Sequence, residues 1–341
     1  MKTITRENLF KLLDVLKTSY DVYAPVRKGP QRFYQKYAGP DDSVVVGEVR
    51  AFEPLKAFFF RSREVVAEDF KADVPGTKRK PLAIVGVKAC DLKGFKVQDH
   101  VFKGKDCQDP FYIRNREDNL IISADCTGAI DTCFCRALGV NPYPEGDFDL
   151  NFSSVEDFYL VDAGSEKGQR LMDDNASLFQ ETSPESIAKR DKIRQDVVAA
   201  VEKNLSDNQV PVQEKFKGII EKNYESGIWE EEAATCVECG ACNTICPTCH
   251  CFFLFDQKKD DQMTRTRLWD SCLLKNFARV AGGANPRPTL WMRLRNRFDK
   301  KFDYFPKVAN IYACTGCGRC ISACPAKIDI RRILKNLVAN V

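Results

Sequence analysis

Two stretches of this chain share one spacing of four cysteines followed by a proline. Residues 236–247 read CVECGACNTICP, and residues 314–325 read CTGCGRCISACP. In this spacing the first three thiolates hold one [4Fe-4S] cluster and the fourth holds the other. Two zinc sites are the alternative, but a zinc site takes its four ligands without such an exchange. The twin pattern therefore predicts two [4Fe-4S] clusters.

The exchange of the fourth thiolate assigns four cysteines to each cluster. The ligands predicted for cluster A are Cys236, Cys239, Cys242 and Cys324. The ligands predicted for cluster B are Cys314, Cys317, Cys320 and Cys246. Gly240 and Gly316 allow the backbone to wrap closely around each cluster. Glu238 lies in the first motif, whereas Arg319 and Lys327 lie in or after the second. Because cations stabilise a reduced cluster, we expect cluster B to have the higher potential.

Four further cysteines fall in the first half of the chain. Cys90 and Cys126 come just after the apolar runs 82–87 and 119–124, which read as buried strands. Parallel strands place such ends along one edge of a sheet, where sites gather. The full set that would meet at this edge is Cys90, Cys126, Cys133 and Cys135. These residues either hold a third cluster or are small buried side chains, since free cysteine is often buried.

Three cysteines follow the first motif. Cys249 and Cys251 come directly after it, and Cys272 lies in the stretch WDSC. They would hold a further cluster only if a fourth ligand came from elsewhere. His250 is interpreted as a polar contact beside a cluster, and Cys107 as having no metal role. The cofactors expected are thus two [4Fe-4S] clusters, and the sequence leaves open whether one or two more are bound.

Composition excludes several classes of protein. The 341 residues include 52 basic and 48 acidic ones, so general affinity for nucleic acid is not indicated. No apolar run reaches the ~20 residues that span a bilayer, and charges interrupt the N-terminal stretch MKTITRENLFKLLDVL. The cysteines are therefore interpreted as reduced, metal-binding and cytoplasmic. Without GxGxxG or a P-loop, we expect no flavin or nicotinamide to be bound by this chain alone.

Periodicity predicts an α/β region followed by a helical one. Residues 5–18 have leucines at helical spacing, and strands are predicted at 82–87, 119–124 and 157–164. A helix is expected near 91–101. The predicted domains are an α/β domain at 1–165, a helical linker at 166–213 and an all-α dicluster ferredoxin domain at 214–341. The basic stretch 291–302 is interpreted as a solvated helix face or a docking surface.

Stretches that lie mostly outside the two motifs carry a resemblance that covers nearly the whole chain. They are GVKACDLKGFKVQDHVF (86–102), CFCRALG (133–139), DFDLNFSSVEDFYLVDAGSEKGQRL (147–171), CPTCHCF (246–252), WDSC (269–272), AGGANPR (281–287) and CTGCGRC (314–320). The chain resembles the iron–sulfur β subunit of soluble NiFe hydrogenases (sulfhydrogenases). It is also similar to the corresponding electron-input subunit of anaerobic sulfite reductase and to the dicluster subunit of flavin oxidoreductases that feed heterodisulfide reductase. Lys88-Ala89 and Ala137-Leu138 depart from the Arg-Pro and Ser-Met that are frequent in the family, which leaves the subfamily open.

The resemblance implies an electron-transfer subunit of an oxidoreductase, with no catalytic residue of its own. Its partners would be a flavoprotein subunit with an NAD(P)H site and a subunit of hydrogenase, heterodisulfide reductase or sulfite reductase type. The electron-input subunit of an anaerobic sulfite reductase is the alternative within the family. An iron–sulfur redox sensor is the alternative from another class, and the sequence contains no recognisable DNA-binding element to support it. Neither a nucleic acid nor a membrane is expected as a partner.

Overall fold

The computed structural model describes residues 1–69, 71, 80–105, 107–259 and 261–341. The strands are β1 (Lys2–Thr5), β2 (Asp21–Lys28), β3 (Gln31–Lys36), β4 (Arg63–Glu68), β5 (Leu82–Val87), β6 (Lys103–Gly104), β7 (Cys107–Gln108), β8 (Leu120–Ala124), β9 (Leu150–Val155), β10 (Phe158–Ala163), β11 (Gln180–Glu181), β12 (Phe252–Lys259) and β13 (Gln262–Trp269). The helices are α1 (Arg6–Ser19), α2 (Lys56–Phe59), α3 (Ala89–Phe102), α4 (Pro110–Asp118), α5 (Glu166–Asp174), α6 (Pro184–Asp207), α7 (Ile219–Lys222), α8 (Ile228–Ala233), α9 (Ala241–Thr244), α10 (Leu290–Asp299), α11 (Phe305–Ala309), α12 (Arg319–Ser322) and α13 (Ile330–Ala339).

An eight-stranded sheet forms the first half of the chain, in the order β11-β1-β10-β9-β8-β5-β2-β3. Strands β2, β5, β8 and β9 pair in parallel, and the flanking pairs are antiparallel. The apolar runs LAIVGV and LIISA become β5 and β8 because helices and loops bury both faces of the sheet centre. The predicted α/β character of this region is confirmed. The parallel pairing of β5 with β8 brings the segments after both strands to one edge.

The helix boundaries follow their capping residues. Thr5 accepts a hydrogen bond from the backbone of Asn8 and begins α1. Ser183 caps α6, and Pro184 occupies its first turn, where no amide partner is needed. The helix expected near 91–101 is α3, which runs directly from the end of β5. Among the described residues, no helix is both long and apolar enough to cross a membrane.

The second half is helical around the cysteine motifs, but it is not all-α as the sequence predicted. Strands β12 and β13 form an antiparallel hairpin, and β13 pairs with β4 from the first half. Arg267 of β13 is buried and bridges the carboxylates of Glu64 and Asp109. The hairpin was missed because these distant partners stabilise it, and strand formation depends strongly on such a context.

The two halves share one hydrophobic core. Ala89 and Phe134 from the first half pack in the same cluster of buried residues as Trp229, Phe298 and Leu334 from the second. Strand β4 and the β12–β13 hairpin join the halves a second time. The boundaries proposed at 165 and 213 stay a prediction.

Candidate metal centres

The first cavity lies between the two cysteine motifs and is lined by residues of both. Its wall includes the four thiols predicted for cluster A, namely Cys236, Cys239, Cys242 and Cys324. Cys324 thus reaches the cavity of the first motif, as the exchange of the fourth ligand requires. Apolar residues form most of the rest of the wall, among them Leu273, Leu294, Phe298 and Ile333, and Arg297 and Cys320 also line it. Such a shell limits solvent at the site, which is one factor that sets the potential of a cluster.

Backbone geometry at the second motif brings it against the first half of the chain. Gly316 has φ 64°, and a Cβ there would lie 2.4 Å from the carbonyl oxygen of Phe134. Gly318 has φ 69°, and its Cβ would lie 2.0 Å from the carbonyl oxygen of Thr132. Only glycine permits both the left-handed conformation and this close approach. The second motif therefore sits directly on the loop that carries Cys133 and Cys135.

That loop forms the second cavity, at the edge of the sheet where β5 and β8 end. The thiols in its wall are Cys90, Cys126, Cys133, Cys135 and Cys317. The structure thus brings the four cysteines of the first half together, as their positions after the strands suggested. Burial raises the pKa of Cys126 to about 11 and also raises the pKa of Cys90. These thiols would be protonated in the metal-free protein, and cluster binding would release their protons.

Cys317 is a predicted ligand of cluster B, so this second cavity adjoins that site. The guanidinium of Arg50 is buried and donates to the carbonyl oxygen of Cys317. Arg50 also donates to Thr132 Oγ1 and to Ser322 Oγ. One cation thereby connects the loop of the second cavity to the second motif.

Two further predicted ligands of cluster B, Cys246 and Cys314, lie near Lys301. Its Nζ lies 3.3 Å from Cys246 Sγ, 2.9 Å from Thr248 Oγ1 and 2.9 Å from the carbonyl oxygen of Ala313. Burial alone would lower the pKa of Lys301, but the thiolate of Cys246 beside it raises this pKa above its ordinary value. Lys301 is therefore charged, and Cys314 lies close enough to act on the same pKa.

Several buried cations lie beside the thiols, and two of them, Arg297 and Lys301, belong to the basic stretch 291–302. Its interpretation as a solvated face or docking surface is wrong, because Arg293, Arg295, Arg297 and Lys301 are buried. Arg297 donates to Asn243 Oδ1 at 2.8 Å, and Lys56 donates to the carbonyl of Cys249 at 2.8 Å. A buried cation is stable only beside compensating negative charge. Thiolate-bound iron–sulfur clusters supply such charge, so these residues fit the predicted clusters.

Cys249 and Cys272 contact the side chain of Asn243, and Cys251 contacts Cys272. Asn243 Nδ2 lies 3.2 Å from Cys272 Sγ, and its Oδ1 lies 3.6 Å from Cys249 Sγ. A hydrogen bond from Cys251 lowers the pKa of Cys272 to about 6. A similar bond from Cys249 lowers the pKa of Cys246. Cys246 is thus the fourth thiol of the group, although it is also a predicted ligand of cluster B.

Two other residues singled out in the sequence lie outside the walls of these cavities. His250 makes a polar contact, since its Nδ1 lies 3.0 Å from the carbonyl oxygen of Thr248, and its ring packs against Phe305. Cys107 is exposed on β7. In the described part of the chain, no three His, Cys, Asp or Glu side chains are grouped closely enough for a single metal ion. The cysteines instead surround cavities.

Sequence reasoning missed the polar residues that line these sites. Lys88 is buried at the end of β5 and donates to the carbonyl oxygens of Val46, Ala124 and Asp125. Lys56 stacks over the ring of Trp269 at 4.2 Å. Lys88 ends an apolar run two residues before Cys90, and this pattern could have indicated a buried lysine at the site. Nothing local marks Arg50 or Lys56, because their partners are distant in sequence.

Two cavities walled by cysteines, with buried cations beside them, define a protein that carries iron–sulfur clusters. Residues 235–328 match the family model for a 4Fe-4S dicluster domain. The sulfhydrogenase 2 subunit beta of Pyrococcus furiosus is 31% identical over 321 residues, covering 94% of this chain and 92% of that protein. The chain therefore belongs to the family of sulfhydrogenase iron–sulfur β subunits. It is an electron-transfer iron–sulfur subunit of an oxidoreductase.

Proposed function

We propose that this chain relays single electrons from a flavin-bearing partner linked to NAD(P)H to a terminal catalytic subunit of hydrogenase or heterodisulfide reductase type, or in the reverse direction. The clusters supply the redox chemistry, and the protein holds, spaces and tunes them. The membership of the chain in the sulfhydrogenase family supports this role.

One observation carries the proposal: cysteines predicted to bind cluster B also line the cavities of the other two candidate sites. Cys317 lines the second cavity and belongs to the set predicted for cluster B. Cys320, from the same set, lines the cavity of cluster A. Cluster B would therefore lie between the other two centres. A relay requires such a series, whereas a sensor needs only one centre.

The cofactors of this relay are cluster A, cluster B and a third [4Fe-4S] cluster in the second cavity. The proposed ligands of the third cluster are Cys90, Cys126, Cys133 and Cys135. Lys88 and Arg50 lie beside them as buried cations. A further cluster at Cys249, Cys251 and Cys272 stays a prediction that needs a fourth ligand. Cys246 lies beside this group, because its thiol forms a hydrogen bond with Cys249.

Spin coupling tests the series. In the fully reduced protein, each centre should broaden the electron paramagnetic resonance signal of its neighbour. Cys126→Ser should remove only the part of the cluster B broadening that comes from the third centre, and the broadening between clusters A and B should remain. Cys107→Ser is the matched control, because Cys107 is exposed on β7. A cluster B signal that is identical in Cys126→Ser and wild type would contradict the series.

Copurification tests the partners. The tagged chain, isolated anaerobically from its own source, should retain a flavoprotein. NADH or NADPH added to that complex should reduce the clusters, and the second retained subunit identifies the terminal acceptor. If neither nucleotide reduces clusters that dithionite does reduce, the proposed electron donor is wrong. A sirohaem protein in place of a hydrogenase or heterodisulfide reductase subunit would favour the sulfite reductase alternative.

A further inference from the structure

The segment between β13 and α10 has an unusual composition. It spans residues 270–289 without a helix or strand, and loops of this length are uncommon unless they are functional. No Asp or Glu occurs between Asp270 and Asp299, whereas Lys275, Arg279 and Arg287 fall within the segment. Leu274, Lys275, Arg279 and Val280 are exposed. We call residues 274–280 the basic loop.

The basic loop is fixed to the first cysteine motif. A Cβ on Gly240 would lie 3.7 Å from Leu274 Cδ2. Arg293 forms an ion pair with Glu238 at 2.6 Å and donates to the carbonyl oxygen of Leu273 at 2.8 Å. Successive turns order the loop, with the amide of Phe277 bonded to the carbonyl of Leu274 at 3.1 Å. The start of the loop therefore packs beside the site of cluster A, and turn hydrogen bonds run along it.

The cavity of cluster A reaches the surface at this loop. Cys239 is exposed, and the side chain of Val237 is 64% exposed. At the end of the second motif, where Cys324, Pro325 and Ala326 line the same cavity, Lys327 is exposed. The one acidic residue of the first motif, Glu238, is paired with Arg293. Val237, Leu274 and Val280 are exposed apolar residues of the first motif and the basic loop, and Lys275 and Arg279 are exposed cations of the same loop.

We infer that this surface is the docking site of an acidic electron-carrier protein, which exchanges electrons with cluster A. The inference rests on the proposed relay and adds the kind of partner that its cluster A end accepts. Charge complementarity identifies the occupant, because a basic loop without acidic residues attracts an acidic surface and accelerates encounter. The exposed apolar side chains of the motif and the loop allow close contact with the partner after encounter. Electron transfer needs that contact, and Cys239 lies at the point where it would form.

The test uses a small, acidic, plant-type [2Fe-2S] ferredoxin as the probe. Stopped-flow mixing of the reduced ferredoxin with the oxidised, cluster-loaded chain gives the second-order rate of cluster reduction. For wild type this rate should fall steeply as salt is added. In Lys275→Glu/Arg279→Glu it should be at least about tenfold lower at low salt, because steering contributes about 10–10³-fold to such rates. Its dependence on salt should also be weak.

The matched control is Lys28→Glu/Lys192→Glu, which makes the same change in net charge at exposed lysines on β2 and α6. Its rate should equal that of wild type. The iron content of each protein shows whether a slower rate comes from loss of clusters. The midpoint potentials show whether it comes from an altered driving force, so that the remaining difference reports docking. Equal rates in the test and control variants would overturn the inference, as would failure of the ferredoxin to reduce wild type. Missing iron in wild type would instead overturn the proposed function.

Discussion

Arg319 of the second cysteine motif and Asp91 of helix α3 form an ion pair at 2.7 Å, and neither side chain is accessible to solvent. Arg319 also donates to the carbonyl oxygens of Ala51 and Phe52, and Asp91 accepts from the amide of Leu55. The pair connects the dicluster region to the first half of the chain. Its two charges compensate each other, so Arg319 does not act on the clusters as a free cation.

Asp91→Asn should destabilise the protein strongly. The substitution keeps the shape of the side chain but leaves the guanidinium of Arg319 buried without its counter-charge. Removing one partner of a buried ion pair costs about 3–5 kcal/mol. Anaerobic urea unfolding measures the change. Glu166→Gln is the control, because its pair with Arg170 is almost fully exposed and the effect should stay within about 0.5 kcal/mol. Equal stability of the two variants would show that the Arg319–Asp91 pair is not needed.

The local parts of the fold could be predicted from the sequence. Strand β5 occupies the predicted residues 82–87, and β8 occupies Leu120–Ala124 within the predicted 119–124. Ser183 and Pro184 marked the start of α6 correctly. These elements are fixed by apolar runs and caps within a few residues. The β12–β13 hairpin was missed because its stability comes from β4 and from the Arg267 ion pairs, which are distant in sequence.

The electrostatics of the sites depended on the same distant partners. The sequence suggested that Glu238 and Arg319 set the order of the two cluster potentials. In the structure Glu238 pairs with Arg293, and Arg319 pairs with Asp91. A cation that does lie beside the thiol of a predicted cluster B ligand is Lys301, from a stretch interpreted as solvated. The predicted order of potentials stays a prediction, but Lys301 is now its physical basis.

Lys301→Met should make the potential of cluster B more negative. The ammonium group lies 3.3 Å from Cys246 Sγ and favours the added negative charge of the reduced cluster. We expect a shift on the order of 60 mV, equivalent to a tenfold change in a one-electron equilibrium. A redox titration followed by electron paramagnetic resonance measures it. Lys300→Met is the neighbouring control, since Lys300 is exposed over the ring of Tyr304. A similar shift in both variants would contradict a specific role for Lys301.

The exchanged ligands can be separated by single substitutions. Cys324→Ser, although it lies in the second motif, should alter the signal of cluster A, because Cys324 lines the cavity of the first motif. Cys246→Ser, in the first motif, should alter the signal of cluster B instead. Electron paramagnetic resonance of the partly reduced proteins distinguishes the two. If each substitution changed the cluster of its own motif, the exchange would be absent and the assignment of both fourth ligands would be wrong.

Iron content tests the third centre. With three [4Fe-4S] clusters the loaded chain should contain about 12 iron atoms and as many sulfides. Cys126→Ser or Cys135→Ser should remove about four irons while the signals of clusters A and B remain, because both residues line the second cavity and belong to neither motif. Cys107→Ser should leave the iron content unchanged, since this thiol is exposed on β7. If the iron content of the Cys126 and Cys135 variants were unchanged, these residues would serve only in packing. Stoichiometric zinc with little iron in the wild-type protein would contradict iron–sulfur clusters altogether.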